Sequence, residues 1–194
     1  LRVADQLGVS GVHWLFTSEE EIDWMRQAGL MARLGCQFHW TNQGYADFDA
    51  LLAGFSSEKR KKIKRERRRI AEAGVQIRRV PGQAASEAEW AGFHRLYEET
   101  FDKRGGIPTL TLPFFREIGE TMGERTLLVL AEHAGEIVAA AFCLVGAQPL
   151  YGRHWGCSKA FHSLHFEACY YQGLEYCIER GLQRFAPGAQ GEHK

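Results

Sequence analysis

A chain of 194 residues, 45% hydrophobic and 12% aromatic with five prolines, has the length and apolar content for one domain or one and a part. That excludes a disordered or low-complexity polypeptide. Twenty-four lysines and arginines offset twenty-four aspartates and glutamates, so overall charge identifies no partner.

In chain order, residues 1–7 read as a helix and Val9 to Phe16 as a strand of bulky and β-branched residues. Ser18 with Glu21 is a capping-box signature for a helix to about Ala28, which Gly29 ends. Leu30 to Trp40 reads as a second strand, and Asp47 caps a short helix to Phe55. Ser56 and Ser57 precede a strongly basic helix that Gly74 closes, followed by a strand over 75–80 and a Pro81-Gly82 turn. Ser86 and Glu89 repeat the capping signature for a helix to about Lys103, whose Trp90, Phe93, Leu96, Tyr97 and Phe101 have helical spacing. Thr111 caps and Pro113 opens a helix to Met122. Strands follow at 125–132, 137–145 and 150–156, the first two joined by a tight loop containing Gly135. A long helix from Leu164 to Leu182 and a last strand from Arg184 complete the chain. Mixed helices and hairpin-linked strands imply an α/β or α+β sheet with helices on both faces. A domain boundary is expected near residues 47–57.

Five cysteines (Cys36, Cys143, Cys157, Cys169, Cys177) form no C-x-x-C pair and lie in apolar stretches. They argue for buried, reduced thiols in a cytoplasmic protein, and against disulfides or a zinc site. His154, His162, His165 and His193 have no metal-ligand spacing, so no metal is expected. No leader and no membrane-spanning apolar run is seen. The chain opens without Met inside a helix and stops after a distinctive motif, so it reads as a fragment.

Lys59 to Arg69 holds nine basic residues and one acid. Only Ile63 and Ile70 anchor this helix, so most of it faces water or an anion. It is either a face that is solvated or salt-bridged to the acidic remainder of the chain, or a phosphate-binding surface. The candidate contacts are Arg60, Lys61, Lys64, Arg65, Arg67 and Arg68, because guanidinium groups fork onto phosphate.

The long helix carries the second constellation. Regular helical spacing puts His165, Cys169, Gln172 and Tyr176 on one face, and Glu167, Tyr171, Leu174 and Ile178 on another. Glu167 among aromatics suits a general base with a raised pKa; the alternative is an ion pair with an arginine such as Arg153. Strand alternation places Tyr151, Arg153 and Trp155 on one face as pocket lining, with His154 opposite. The tail Gly188-Ala189-Gln190-Gly191-Glu192-His193-Lys194 reads as a glycine-punctuated strand end.

The run His165-Phe166-Glu167-x-Cys169-Tyr170-Tyr171-Gln172, the Gly188 to Lys194 tail, Gln37-Phe38-His39-Trp40 and Ser56-Ser57-x-Lys59-Arg60-Lys61-x-Ile63-x-Arg65-Glu66-Arg67 together resemble the bacterial FemAB-like peptidoglycan biosynthesis/recognition family over residues 10–194. That resemblance implies a GNAT-like mixed sheet flanked by helices, in a tandem arrangement. Residues 1–46 would be the closing portion of a first unit, and 47–194 most of a second. It also implies N-acyl or aminoacyl transfer to an amine, on a cell-wall precursor or peptide, from acyl-CoA or aminoacyl-tRNA.

The roles it suggests are a proton acceptor in Glu167 or His193, and Tyr151 or Tyr170 at the carbonyl or leaving group. Substrate contacts would come from Arg153, Trp155, His165, Gln172, Gln190, Glu192 and Lys194, and the basic helix would hold a phosphate-bearing substrate. The stretch Gly156 to Ser163 lacks the Q/R-x-x-G-x-G/A loop with which acetyltransferases cradle the CoA pyrophosphate, which argues against acetyl-CoA. Two other readings compete: a non-catalytic module binding RNA or an anionic cell-wall precursor, and a conventional acetyl-CoA-dependent small-amine acetyltransferase.

Overall fold

Ser18, Asp47, Ser56, Ser86 and Thr111 each stand one residue before a helix, and each accepts a backbone N–H with its side chain. The helix starts therefore lie where short polar side chains can satisfy orphan donors. The computed structural model describes residues 2–15 and 17–188, and the chain divides into two compact units, Leu1–Cys36 and Gln37–Lys194.

In the first unit, α1 (Arg2–Leu7) and α2 (Glu19–Gln27) are helical, and α2 opens with the Ser18–Glu21 capping box. The two expected strands do not form at residues 9–15 and 30–39. A strand needs a neighbour to take its N–H and C=O groups. None is present among the unit's described residues, and Val9 and Trp14 stay half exposed. Only the end of the second expected strand forms, as β1 (Trp40–Thr41), and it belongs to the second unit. The compact units part at 36/37, and within the second Trp40 pairs with Phe185 and Thr41 with Arg184.

The second unit continues with α3 (Phe48–Ala53), α4 (Ser57–Glu72), β2 (Gln76–Pro81), α5 (Glu87–Asp102), α6 (Leu112–Met122), β3 (Thr126–His133), β4 (Glu136–Val145) and β5 (Pro149–Cys157). It closes with α7 (Leu164–Phe166), a π-helical turn (Glu167–Tyr171), α8 (Gln172–Arg180) and β6 (Arg184–Ala186). The sheet order is β1-β6-β5-β4-β3-β2, antiparallel except for the parallel pair β5/β6. Ala134 (φ 52°) and Gly135 (φ 80°) turn the β3–β4 hairpin in two residues, the positive-φ geometry that matches strand twist.

One face of the sheet takes α5 and α6. Trp90, Phe93, Leu96, Tyr97 and Phe115 pack on Leu128, Leu130, Ala140 and Phe142. Gly156 lets α5 approach, since a Cβ there would lie 2.3 Å from the Leu96 carbonyl oxygen. The other face takes α4, the π turn and α8 over Leu127, Val129, Ala139, Ala141 and Cys143. Burial there pushes the Cys143 and Cys177 thiols up to about 12, with the Cys143 charge adding at Cys177. Cys36, against expectation, is exposed. Among the described residues, no helix is long and apolar enough to cross a membrane.

Two elements of this unit each carry one residue more than a regular repeat allows. Phe142 pairs with His154 but Cys143 with Gly152, so Arg153 is an extra residue in β5, a β-bulge. The helix after β5 likewise carries an extra residue in its π turn. β5 and β6 pair only at Pro149/Arg184, Leu150/Phe185 and Tyr151/Ala186. The bulge comes just beyond that short pairing, at Arg153.

Candidate active site

The inward stripe of α4 is buried Ile63, Glu66 and Ile70 with half-buried Arg67. Their i, i+3, i+4, i+7 spacing is that of a core-facing helix, except that its two middle members are an acid and a base. Glu66 is 6% exposed, and its Oε2 accepts a hydrogen bond from the Tyr171 hydroxyl. Burial, the bond to Glu66 and the charges of Glu66 and Glu167 hold the Tyr171 phenol far above its ordinary range. Lys62 Nζ stands 4.0 Å from Glu66 Oε1.

Arg67 is clamped. Its Nη1 and Nη2 donate to Glu175 at 3.3 and 2.9 Å, its Nε lies 3.2 Å from Glu167 Oε2, and its guanidinium covers the Phe48 ring at 4.8 Å. Burial pulls its pKa down. The Glu175 hydrogen bond and the charges of Glu167 and Glu175 together outweigh that and raise it.

The π turn explains how Glu167 is held. The Gln172 N–H bonds the Glu167 carbonyl five residues back, so the two side chains come together and Gln172 Nε2 donates to Glu167 Oε1 at 2.7 Å. In an α-helix residues five apart stand about 140° apart. The expectation that Glu167 and Gln172 occupy different faces fails for that reason. Glu167 is 3% exposed, and its Oε2 accepts no aligned hydrogen bond among the described residues, leaving Arg67 as its counter-charge.

A cleft of about 630 Å³ opens beside α4. Trp40, Phe48, Phe166, Tyr170, Tyr171 and Phe185 wall it, Glu66 reaches it from α4, and exposed Ser56, Glu58, Lys59 and Lys62 also line it. Burial, with a smaller contribution from Cys169, pushes the Tyr170 phenol up to about 12, so it stays a donor at neutral pH. A second cavity of about 380 Å³ is lined by Arg104, Arg153, Trp155 and His165, with Tyr97, Thr100, Phe101, Gly106 and His154. The wall between them is aromatic. His165, in the second cavity, lies 5.5 Å ring to ring from Tyr170 in the first, and 5.2 Å from Trp155.

The structure sorts the residues that the sequence singled out. Tyr170 lines the main cleft, and Arg153, Trp155 and His165 meet in the smaller one. Glu167 and Gln172 line neither, being buried and bonded to each other. The partner of Glu167 is Arg67, not Arg153. Tyr151 does not share a face with Trp155: the bulge intervenes, so Tyr151 pairs with Leu144 on the α5 side and Trp155 with Ala141 on the α4 side.

Of the basic-helix candidates, Arg67 is taken by two carboxylates, Lys64 pairs with Asp49 at 2.8 Å, Arg68 with Glu72 at 3.7 Å, and Arg60 donates to the Ala53 carbonyl. Lys61 and Arg65 are exposed and have no carboxylate partner among the described residues. Gln190, Glu192, His193 and Lys194 lie outside the described residues. Sequence reasoning missed Glu66, Lys59 and Lys62. The 63/66/70 spacing carried the signal for Glu66, but it was outweighed by the surrounding charge.

A family model described as peptidoglycan biosynthesis/recognition, FemAB-like, matches residues 1–194, and the chain belongs to that family. No curated protein matches it. Among solved structures, L-PGS from Bacillus licheniformis is similar with a TM-score of 0.59 at 14% identity, over 87% of this chain and 49% of that one. The C-terminal domain of a putative lysylphosphatidylglycerol synthetase from Agrobacterium fabrum gives 0.61 at 14%, over 87% and 51%. An aminoglycoside acetyltransferase from an uncultured soil metagenomic sample gives 0.50 at 13%, over 63% and 80%. The chain spans about half the length of the first two. At such identities the likeness concerns fold, and the fold is GNAT-like, a mixed sheet flanked by helices, as the family resemblance implied.

Proposed function

We propose that this FemAB-like protein transfers an acyl or aminoacyl group to an amine of a peptidoglycan-related substrate, and that the chemistry takes place in the main aromatic cleft. The observation that carries this reading is Glu66: a nearly buried carboxylate on the wall of an apolar cleft that two lysines also line. An amine arrives as ammonium and must lose a proton before it attacks a carbonyl. Glu66 accepts that proton. The freed nitrogen forms a C–N bond at the carbonyl, and the Tyr170 hydroxyl donates a hydrogen bond to the oxyanion that forms. Collapse breaks the C–O or C–S bond to the donor as a second proton of the attacking nitrogen passes to the leaving group, which leaves the amide. Lys59 and Lys62 offer a phosphate-bearing substrate two cations at the cleft, with exposed Lys61 and Arg65 elsewhere on α4. The donor carries its acyl group on such a handle, a CoA thioester or an aminoacyl-tRNA. The absence of the pyrophosphate loop pattern at 156–163 favours the latter.

Glu167 and Arg67 are positioning residues in this scheme. They fix α4 against the π turn and so set Glu66 beside Tyr171. The test is Glu66→Gln in the intact protein, assayed with CoA thioesters and aminoacyl-tRNAs as donors and muropeptide amines as acceptors. Loss of a general base costs about 10²–10⁴-fold in rate, with the unfolding midpoint retained. Undiminished transfer by the Gln variant would remove Glu66 from the mechanism. Tight binding of cell-wall precursor or RNA without turnover by the unaltered protein would favour a recognition module instead.

A further inference from the structure

The second cavity has a chemistry of its own. Arg104 and Arg153 both line it, no acidic side chain does, and neither arginine has a carboxylate partner among the described residues. Two arginines without carboxylate partners on one small cavity favour an anion there, because each guanidinium is a planar fork suited to a carboxylate or phosphate. The local fold builds this arrangement. Arg153 is the extra residue of the β5 bulge, which re-aims it relative to the strand's alternation. Arg104 begins a loop pinned at both ends: Lys103 Nζ donates to the Cys157 carbonyl at 2.7 Å, and the N–H groups of Thr109 and Leu110 each lie 3.3 Å from the Tyr97 hydroxyl that accepts them. Gly106 lines the cavity, so a ligand can approach backbone there. Trp155 and His165 form an aromatic side wall with ring centroids 5.2 Å apart. His154 stays neutral near pH 7: burial, then the Arg153 charge, hold its pKa down to about 4, so it does not add a third cation.

We infer that this cavity is an oxyanion-binding subsite, which takes the carboxylate or phosphate end of a small ligand between Arg104 and Arg153 with its apolar part against Trp155. A volume of about 380 Å³ suits a group of amino-acid or dipeptide size rather than a nucleotide, which makes a carboxylate the first candidate. The inference concerns binding and does not rest on acyl transfer in the neighbouring cleft.

Calorimetric titration of the intact protein tests it with three probes: N-acetylglycine, its neutral analogue N-acetylglycinamide, and inorganic phosphate. N-acetylglycine is expected to bind and the amide not to. The Arg104→Gln/Arg153→Gln protein is expected to bind about tenfold or more weakly, with Arg153→Lys in between. Both arginines are exposed, so near-ultraviolet circular dichroism and the melting midpoint should be unaltered. Lys159→Gln, which removes an exposed cation that does not line the cavity, should bind as the unaltered protein does. If phosphate displaces N-acetylglycine and binds tighter, the subsite is an oxyanion site whose natural source is a phosphate. Equal binding of acid and amide, unchanged affinity in the double variant, or no heat from either anion overturns the inference.

Discussion

Replacing Arg67 with Met tests how the two sides of the cleft are held. The substitution keeps an unbranched stem to lie on Phe48 but deletes the charge. Glu167 is 3% exposed and its Oε2 has no aligned donor, so removing Arg67 strands a buried carboxylate. Breaking a buried pair from one side costs about 3–5 kcal/mol. The side chains of Arg67 and Glu175 keep 28% and 25% of their exposure, so water partly compensates and the low end, about 3 kcal/mol, applies. Glu167→Gln alone should cost only about 1 kcal/mol, because Arg67 retains Glu175 and no buried charge is left alone.

The double variant is the informative one. A neutral Gln at 167 opposite Met no longer needs a counter-charge, so the pair should lose about 2 kcal/mol, less than the sum of its parts by a similar amount. Urea unfolding followed by tryptophan fluorescence reads this directly. At a slope of about 2–3 kcal/mol per molar, Arg67→Met lowers the midpoint by about 1–1.5 M, and the second substitution restores part of it. Strict additivity, or an Arg67→Met protein within about 1 kcal/mol of the parent, would mean that the ion pair does not tie α4 to the π turn.

Two further outcomes are expected on the α5 face. His154 packs among Tyr97, Phe115 and Phe142, and burial followed by the Arg153 charge holds its pKa at about 4 against 6.5. The unfolded chain therefore binds a proton that the folded chain refuses. Stability from this group is complete above pH 6.5 and is lost as pH falls from 6.5 towards 4. Full burial would make that loss about 3 kcal/mol, and screening of a partly exposed ring reduces it to about 2 kcal/mol. His154→Phe should flatten the urea-midpoint profile over this window by that amount, and an unchanged profile refutes the assignment. Gly156→Ala places a Cβ 2.3 Å from the Leu96 carbonyl oxygen. Backbone on both sides cannot yield, so a loss of about 1–3 kcal/mol is expected by chemical denaturation, and a neutral result would show that α5 does not sit so close to β5.

Local chemistry made much of this fold readable. Ser18, Asp47, Ser56, Ser86 and Thr111 each state a helix start in a few neighbouring residues, and Gly135 states the hairpin. The strands expected before Trp40 were misread because a bulky, β-branched run specifies a surface that could be pleated, whereas pairing depends on a neighbour elsewhere in the chain. Glu66 is missed, and Arg67 is taken for a phosphate contact, for the same reason. Their inward placement depends on Tyr171, Glu167 and Glu175, about a hundred residues away.

The two failures closest to the site share a cause. Periodicity assigns faces by assuming a fixed repeat, two residues in a strand and 3.6 in a helix. β5 breaks its repeat at Arg153, and the following helix breaks its own at Glu167–Tyr171, each by one residue. Without the bulge, Arg153 would follow the alternation of Tyr151 and Trp155. Without the π turn, Gln172 would point away from Glu167, and Tyr170 and Tyr171 would be rotated relative to α4. Irregularities of this kind weaken local hydrogen bonding and persist where they re-aim side chains. Here one sets an arginine into the smaller cavity, and the other sets an acid–amide pair beneath the larger. Between them stands the His165–Tyr170 contact that divides the two. The places where a regular repeat misleads are therefore the places where the chain departs from its most stable local geometry to build the paired cavities.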